Sequence, residues 1–189
     1  MEILTNVLAA FGLSGSAGLN AYLPLLIVAL AARFTNWIQL SAPWDTLENG
    51  WVIFALVILL GVEFFADKIP AINHANDLIQ TFVRPTAGAI LFAASTSVIA
   101  KMHPALAMIL GLLVAGGVHV AKSAVIRPMV TATTGGMANP LVSVIEDVIA
   151  ALVSIAAVVL PVLISALIVL VTAFLIWWLW RRSVRSLAR

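Results

Sequence analysis

From Leu141 to Trp180 the only ionisable side chains are Glu146 and Asp147. A helix needs roughly 20 apolar residues to cross a bilayer core, and this run is about twice that length. Pro161 lies near its middle. Because proline breaks or kinks a helix interior, the residue predicts the turn of a tight helical hairpin. Other apolar runs fall at Gly18 to Ala32, Trp51 to Ala66, Thr86 to Ala100 and Ala105 to Ala121, and Pro161 divides the last run into Leu141 to Leu160 and Val162 to Trp180. The expected fold is all-α, a single integral-membrane domain over residues 1–189 with about six transmembrane helices arranged as three helical hairpins. Composition agrees, since 10% of the residues are charged and mean hydropathy is +1.14, against roughly 25% charged in soluble domains.

The same composition excludes several chemistries. With no cysteine there is no disulfide framework or thiolate, and three scattered histidines lack the spacing of a metal site, so neither metal nor cofactor is expected. A formal net charge of +2 is too small to suggest a nucleic-acid partner. The apolar run that begins at Ile3 lacks a basic leader and a cleavage site, and is expected to be retained.

Orientation follows from the basic residues. In the six-span arrangement Lys68, Arg84, Lys122, Arg127, Arg181, Arg182, Arg185 and Arg189 share one side, while Arg33 and Lys101 take the other. The positive-inside rule then places both termini in the cytoplasm. Trp177, Trp178 and Trp180 followed by the basic tail 182–189 suit an interfacial anchor, as do Trp37, Trp44 and Trp51 around the first outer loop.

Three short patterns point to an internal repeat. Ser16-Ala17-Gly18, Thr86-Ala87-Gly88 and Thr134-Gly135-Gly136 each join a hydroxyl residue, a small residue and a glycine, at the expected start of an outward-running helix. Short lead helices at the interface would precede them; the segment from Ile72 to Val83 is amphipathic in the required way. A further match sets Glu63 opposite His119. Repeat units of 1–69, 70–123 and 124–181 follow, and packing through glycine faces, including homo-oligomerisation, is expected.

Unusual polar residues gather at one depth. Asn20, Glu63, Asp67, Lys68, Arg84, His119, Lys122, Arg127, Asn139, Glu146 and Asp147 all map to the cytoplasmic third of the spans. Ionisable groups inside spans are costly and normally face a bundle interior or a watery cavity. Glu63, His119, Glu146 and Asp147 are therefore candidates for proton or ion coupling. Adjacent helical residues point about 100° apart, so one of Glu146 and Asp147 should face the interior while the other takes a basic partner such as Lys122 or Arg127. Helix N-termini and the pairs Arg84-Pro85 and Arg127-Pro128 suit an anion, which makes Asn20, Arg84, Lys122, Arg127 and Asn139 the candidate substrate-binding residues, Asn139 also serving as a helix cap. A purely structural alternative is that the acids only neutralise these bases.

The stretches G-S-A-G-L-N-A-Y-L-P, F-A-D-K-I-P, R-P-T-A-G-A-I and T-G-G-M-A-N-P-x-x-S-x-x-E-D resemble those of a bacterial integral-membrane family catalogued as domain of unknown function 4126. The resemblance implies a bacterial inner-membrane protein and brings no activity with it. On the residues alone, the expected function is a small transporter or carrier for an anionic solute or lipid headgroup, with a polar cavity open to the cytoplasm. The alternative is a non-transporting scaffold or partner subunit whose polar layer welds its helices. No nucleophile with a base is visible, so no enzymatic activity is expected.

Overall fold

A computed structural model describes residues 2–67, 69–95 and 103–187; Lys68, Lys101 and the end of the third expected span therefore lie outside the described residues. The elements in chain order are α1 (Glu2–Leu19), α2 (Tyr22–Phe34), a 3-10 turn (Trp44–Glu48), α3 (Gly50–Ala66), α4 (Pro70–Ser95), α5 (Pro104–Ala121), a π-helical turn (Lys122–Ile126), α6 (Arg127–Thr134) and α7 (Asn139–Leu187). No strand occurs among the described residues.

Local chemistry sets the boundaries. Asn20 Oδ1 accepts the Leu23 N–H at 3.0 Å, satisfying a donor in the first turn of α2. Arg33 Nη1 donates to Glu48 O at 2.6 Å, tying down the loop after α2, and Asn49 Oδ1 caps α3 through Trp51 N at 2.9 Å. Gly135 and Gly136, at φ 62 and 88, take the left-handed backbone that ends α6 and returns the chain into α7.

The centre of the bundle is α1, which packs against α4, α5 and α7. Its inner face is small and hydroxylated: Ser14 Oγ donates to Gly88 O at 2.9 Å, while Ser16 Oγ donates to Ala150 O at 2.8 Å and lies 2.6 Å from Ser154 Oγ. Small residues let the backbones approach. A Cβ placed on Gly18 would sit 2.5 Å from Ala115 O.

Four expectations are corrected. The segment before Gly18 is no separate lead helix; it is continuous with α1, whose Leu13, Ser14, Ser16 and Ala17 are buried while Leu4, Leu8 and Phe11 are exposed. The amphipathic stretch from Ile72 to Val83 is continuous with the next apolar run, because α4 passes through Pro85. Likewise α7 passes through Pro161 as one helix where a hairpin was expected. Proline removes one backbone bond, and bundled helices tolerate it when neighbouring groups compensate. Finally, the three repeat patterns take three different local structures: Gly18 closes α1, Gly88 lies inside α4, and Gly135 and Gly136 form a turn.

Asn6 and Ala9 share a cleft of about 180 Å³ with Trp37, Gln39, Ser95 and Pro161, at the opposite end of the bundle from Glu63 and Arg84. α1 therefore runs toward the polar layer, and α7 runs away from it. By length and composition, the stretches Pro104–Thr134 and Asn139–Leu163 suffice to cross a bilayer, and Leu4–Leu19, Tyr22–Phe34 and Gly50–Ala66 are shorter apolar helices.

Candidate functional site

The last turn of α3, the middle of α4 and the end of α5 bring Glu63, Arg84 and His119 together in the interior. Arg84, fully buried, donates from Nη2 to Glu63 Oε1 at 2.9 Å and from Nε to the same oxygen at 3.3 Å. Its Nη1 lies 3.2 Å from His119 Nδ1, and Thr81 Oγ1 lies 3.1 Å from His119 Nε2. The two residues matched by sequence pattern, Glu63 and His119, thus meet through one guanidinium.

A second set gathers on Asp67. Arg127 Nη2 donates to Asp67 Oδ2 at 3.1 Å, Ser143 Oγ to the same oxygen at 3.3 Å, and Asn76 Nδ2 to Oδ1 at 2.6 Å. Arg84 Nη2 and Lys122 Nζ stand 3.5 and 3.6 Å from Oδ2. Burial pushes the Asp67 carboxyl up, but Lys122, Arg84 and Arg127 outweigh it and hold the group below its ordinary value.

Lys122 completes the network from the π-helical turn. Its ammonium donates to Leu19 O at 3.0 Å and forms an ion pair with Glu146 Oε2 at 2.8 Å. Arg127 Nη1 reaches Asp77 Oδ2 at 3.2 Å. Among the described residues, then, Glu63, Asp67, Asp77 and Glu146 meet Arg84, Lys122 and Arg127, a formal balance of 3 − 4 = −1 with His119 neutral. Among the described residues, no hydrogen bond reaches the buried Glu63 Oε2 and Glu146 Oε1.

Three of the five expected substrate ligands, Arg84, Lys122 and Arg127, lie in this network, each against a carboxylate. Of the four expected coupling groups, Glu63, His119 and Glu146 join it. Asp147 stands apart with Asn20, whose Nδ2 donates to Asp147 Oδ1 at 3.0 Å, and the pair lines a groove between α2, α3 and α7. The divergence expected of Glu146 and Asp147 is what the helix imposes. The cap expected of Asn139 is corrected: the residue opens α7, its Nδ2 donates to Thr131 Oγ1 at 2.9 Å, and its Oδ1 caps nothing among the described residues. The three converging helix N-termini are corrected too, because Thr86 to Gly88 sits inside α4 and the first turn of α2 is capped by Asn20.

Asp67, Asn76, Asp77 and Ser143 are the residues that the list of candidate sites missed. Their signal was spacing: Asp67 follows Glu63 by four residues, and Asp77, Thr81 and Arg84 recur at intervals of four and three on α4, so each set shares a helical face.

The architecture and site define an all-helical protein organised around a buried charge network. The chain belongs to the family described as Domain of unknown function (DUF4126), whose model matches residues 7–182. No curated protein and no solved structure matches it.

Proposed function

We propose that this chain is a multi-pass protein of the cell membrane, a small carrier whose buried network takes up and releases a proton as its helices rearrange. Membrane embedding is supported by the inverted faces of α4 and α5. On α4, Leu78, Ile79 and Phe82 are exposed while Asn76, Gln80 and Arg84 are buried; on α5, Ile109 and Leu113 face outward while Gly111, Ala115 and His119 face inward. An apolar exterior around a polar interior suits lipid as the surrounding solvent.

The observation that carries the coupling reading is the charge mismatch with its two unpartnered carboxylate oxygens. A network serving only as glue would gain from complete satisfaction, since each buried acceptor left alone costs free energy. A proton on Glu63 or Glu146 removes the mismatch. An anionic solute is less well served than the residue types suggest, because Arg84, Lys122 and Arg127 already hold internal carboxylates. The test is reconstitution into liposomes holding a pH-sensitive dye, with a solute panel outside. Solute-dependent proton movement that Glu63→Gln and Glu146→Gln abolish, while both variants stay folded, supports the reading. Vesicles as proton-tight as protein-free ones across the panel overturn it.

A second reading, a non-transporting scaffold, is favoured by one observation. Of the network's ionised groups, none lines a described cavity. Under it, Glu63→Gln and Glu146→Gln change stability alone.

A further inference from the structure

We infer that the network's proton is seated between Glu63 Oε2 and the amide oxygen of Gln80, with Tyr22 holding that amide in its orientation. The inference rests on the carrier reading above and names the groups that take the proton. Every buried side-chain atom that no hydrogen bond reaches among the described residues is an oxygen acceptor. Two of them, Glu63 Oε2 and Gln80 Oε1, belong to residues that are each 1% exposed. Asn76, Gln80 and Arg84 recur one helical turn apart and form one buried face of α4. Asn76 Nδ2 donates to Asp67 and Arg84 Nη2 to Glu63, so Gln80 lies between the two side chains that grip the end of α3.

Three features select this seat. First, the Gln80 amide has a fixed direction. It shares a side-chain hydrogen bond with Tyr22 of α2, and because its Oε1 is unpartnered among the described residues, Nε2 makes that bond as the donor. Second, both Arg84 bonds to Glu63 fall on Oε1, at 2.9 and 3.3 Å, which leaves Oε2 for an added proton. Uptake forms an O–H bond at Oε2 and release breaks it, with water as source and sink. That O–H donates to Gln80 Oε1, so one proton answers two unmet acceptors. Third, a metal cation is poorly served, since it needs several more oxygen ligands than these two and would stand against the Arg84 guanidinium. The charged and titratable groups facing Glu63 are Arg84 of α4, Asp67 beside it on α3, Lys122 of the π-helical turn and Tyr22 of α2. His119 of α5 lies behind Arg84, and Glu146 of α7 behind Lys122.

The experiment titrates the purified full chain in ester-free detergent by infrared difference spectroscopy, reading the carbonyl stretch that a carboxyl group shows only when protonated. The component lost in Glu63→Gln belongs to Glu63, and the one lost in Glu146→Gln to Glu146. Gln80→Leu is expected to move the Glu63 component to higher frequency and to lower its pH midpoint by about one unit, a tenfold loss of proton affinity, because a bond made only by the protonated form is gone. Tyr22→Phe frees the amide to turn Nε2 onto the ionised carboxylate, and should lower the same midpoint. A purely structural role for either residue would leave it in place. Should the leucine variant not fold, Gln80→Glu keeps a polar group of the same size, and by making two carboxyl groups share one proton it should raise the midpoint. The Glu146 component should ignore all three substitutions. A response of the Glu146 component in place of the Glu63 one, or of neither, would overturn the seat, the second result being that expected if water and not the amide met the proton. The liposome assay judges the carrier reading separately: vesicles that stay proton-tight although the Glu63 component responds as expected would sink that reading and leave the seat standing.

Discussion

Arg84 and Glu63 form a bidentate contact on one carboxylate oxygen, with the guanidinium 0% and the carboxylate 1% exposed. Leaving one partner of a buried ion pair alone is costly, because the remaining charge is desolvated without compensation. Arg84→Met should destabilise the chain by about 3–5 kcal/mol, and Glu63→Leu added to it should restore much of the loss. Denaturant unfolding in detergent, followed by circular dichroism, checks both outcomes.

Asp67 gives the network a defined acid limit. Its folded-state pKa lies below the ordinary 3.8, so the stabilisation is complete above that value and is lost as pH falls through the lower, folded-state pKa. The difference in unfolding midpoint between wild type and Asp67→Asn should be constant from neutral pH down to about the ordinary carboxylate pKa and shrink below it. A difference that instead grew with acidification would contradict this sign.

Glycines in the bundle divide into two kinds. A methyl group on Gly88 would overlap Ala115 Cβ and stand 2.8 Å from Gly111 O, whereas one on Gly117 meets nothing within 4 Å. Gly88→Ala should cost about 1–3 kcal/mol through overpacking. Gly117→Ala should be neutral or stabilise by up to about 1 kcal/mol through helix propensity. Paired thermal melts distinguish them.

The absence of native cysteine makes the topology directly testable. Single cysteines at Asn6 and Gln39, which share one cleft, should react with an impermeant maleimide from the same membrane face. A cysteine at Met137, in the exposed turn before α7, should react from the other face. Labelling of Asn6 and Met137 from one side would exclude the observed direction of α1.

The depth of the polar layer was legible in the sequence because Glu63, His119 and Glu146 interrupt apolar runs where an ionisable group needs a reason to be. Its internal pairing was not legible. Asp67 stands at the end of α3, where a carboxylate looks interfacial, and only the tertiary fold brings Arg84, Lys122 and Arg127 around it. α1 was missed for a related reason: apolar windows favour uniformly hydrophobic helices, and Ser14, Gly15, Ser16 and Gly18 dilute the hydropathy of its packed second half. Pro161 misled in the opposite direction, since one missing N–H is a strong sequence signal with a limited structural cost.

The position of α1 bears on how the chain is made. It is synthesised before the other described helices, and its hydroxyl and carbonyl partners come much later in the chain: Gly88 is 74 residues away from Ser14, Lys122 is 103 from Leu19, and Ala150 is 134 from Ser16. Contacts of such sequence separation form late and slowly. The buried serines of α1 thus find their partners only once α4 and α7 are in place. Completing the fold therefore means closing later helices around the second half of an earlier one, and a chain truncated before Ala150 would leave Ser16 without its carbonyl acceptor.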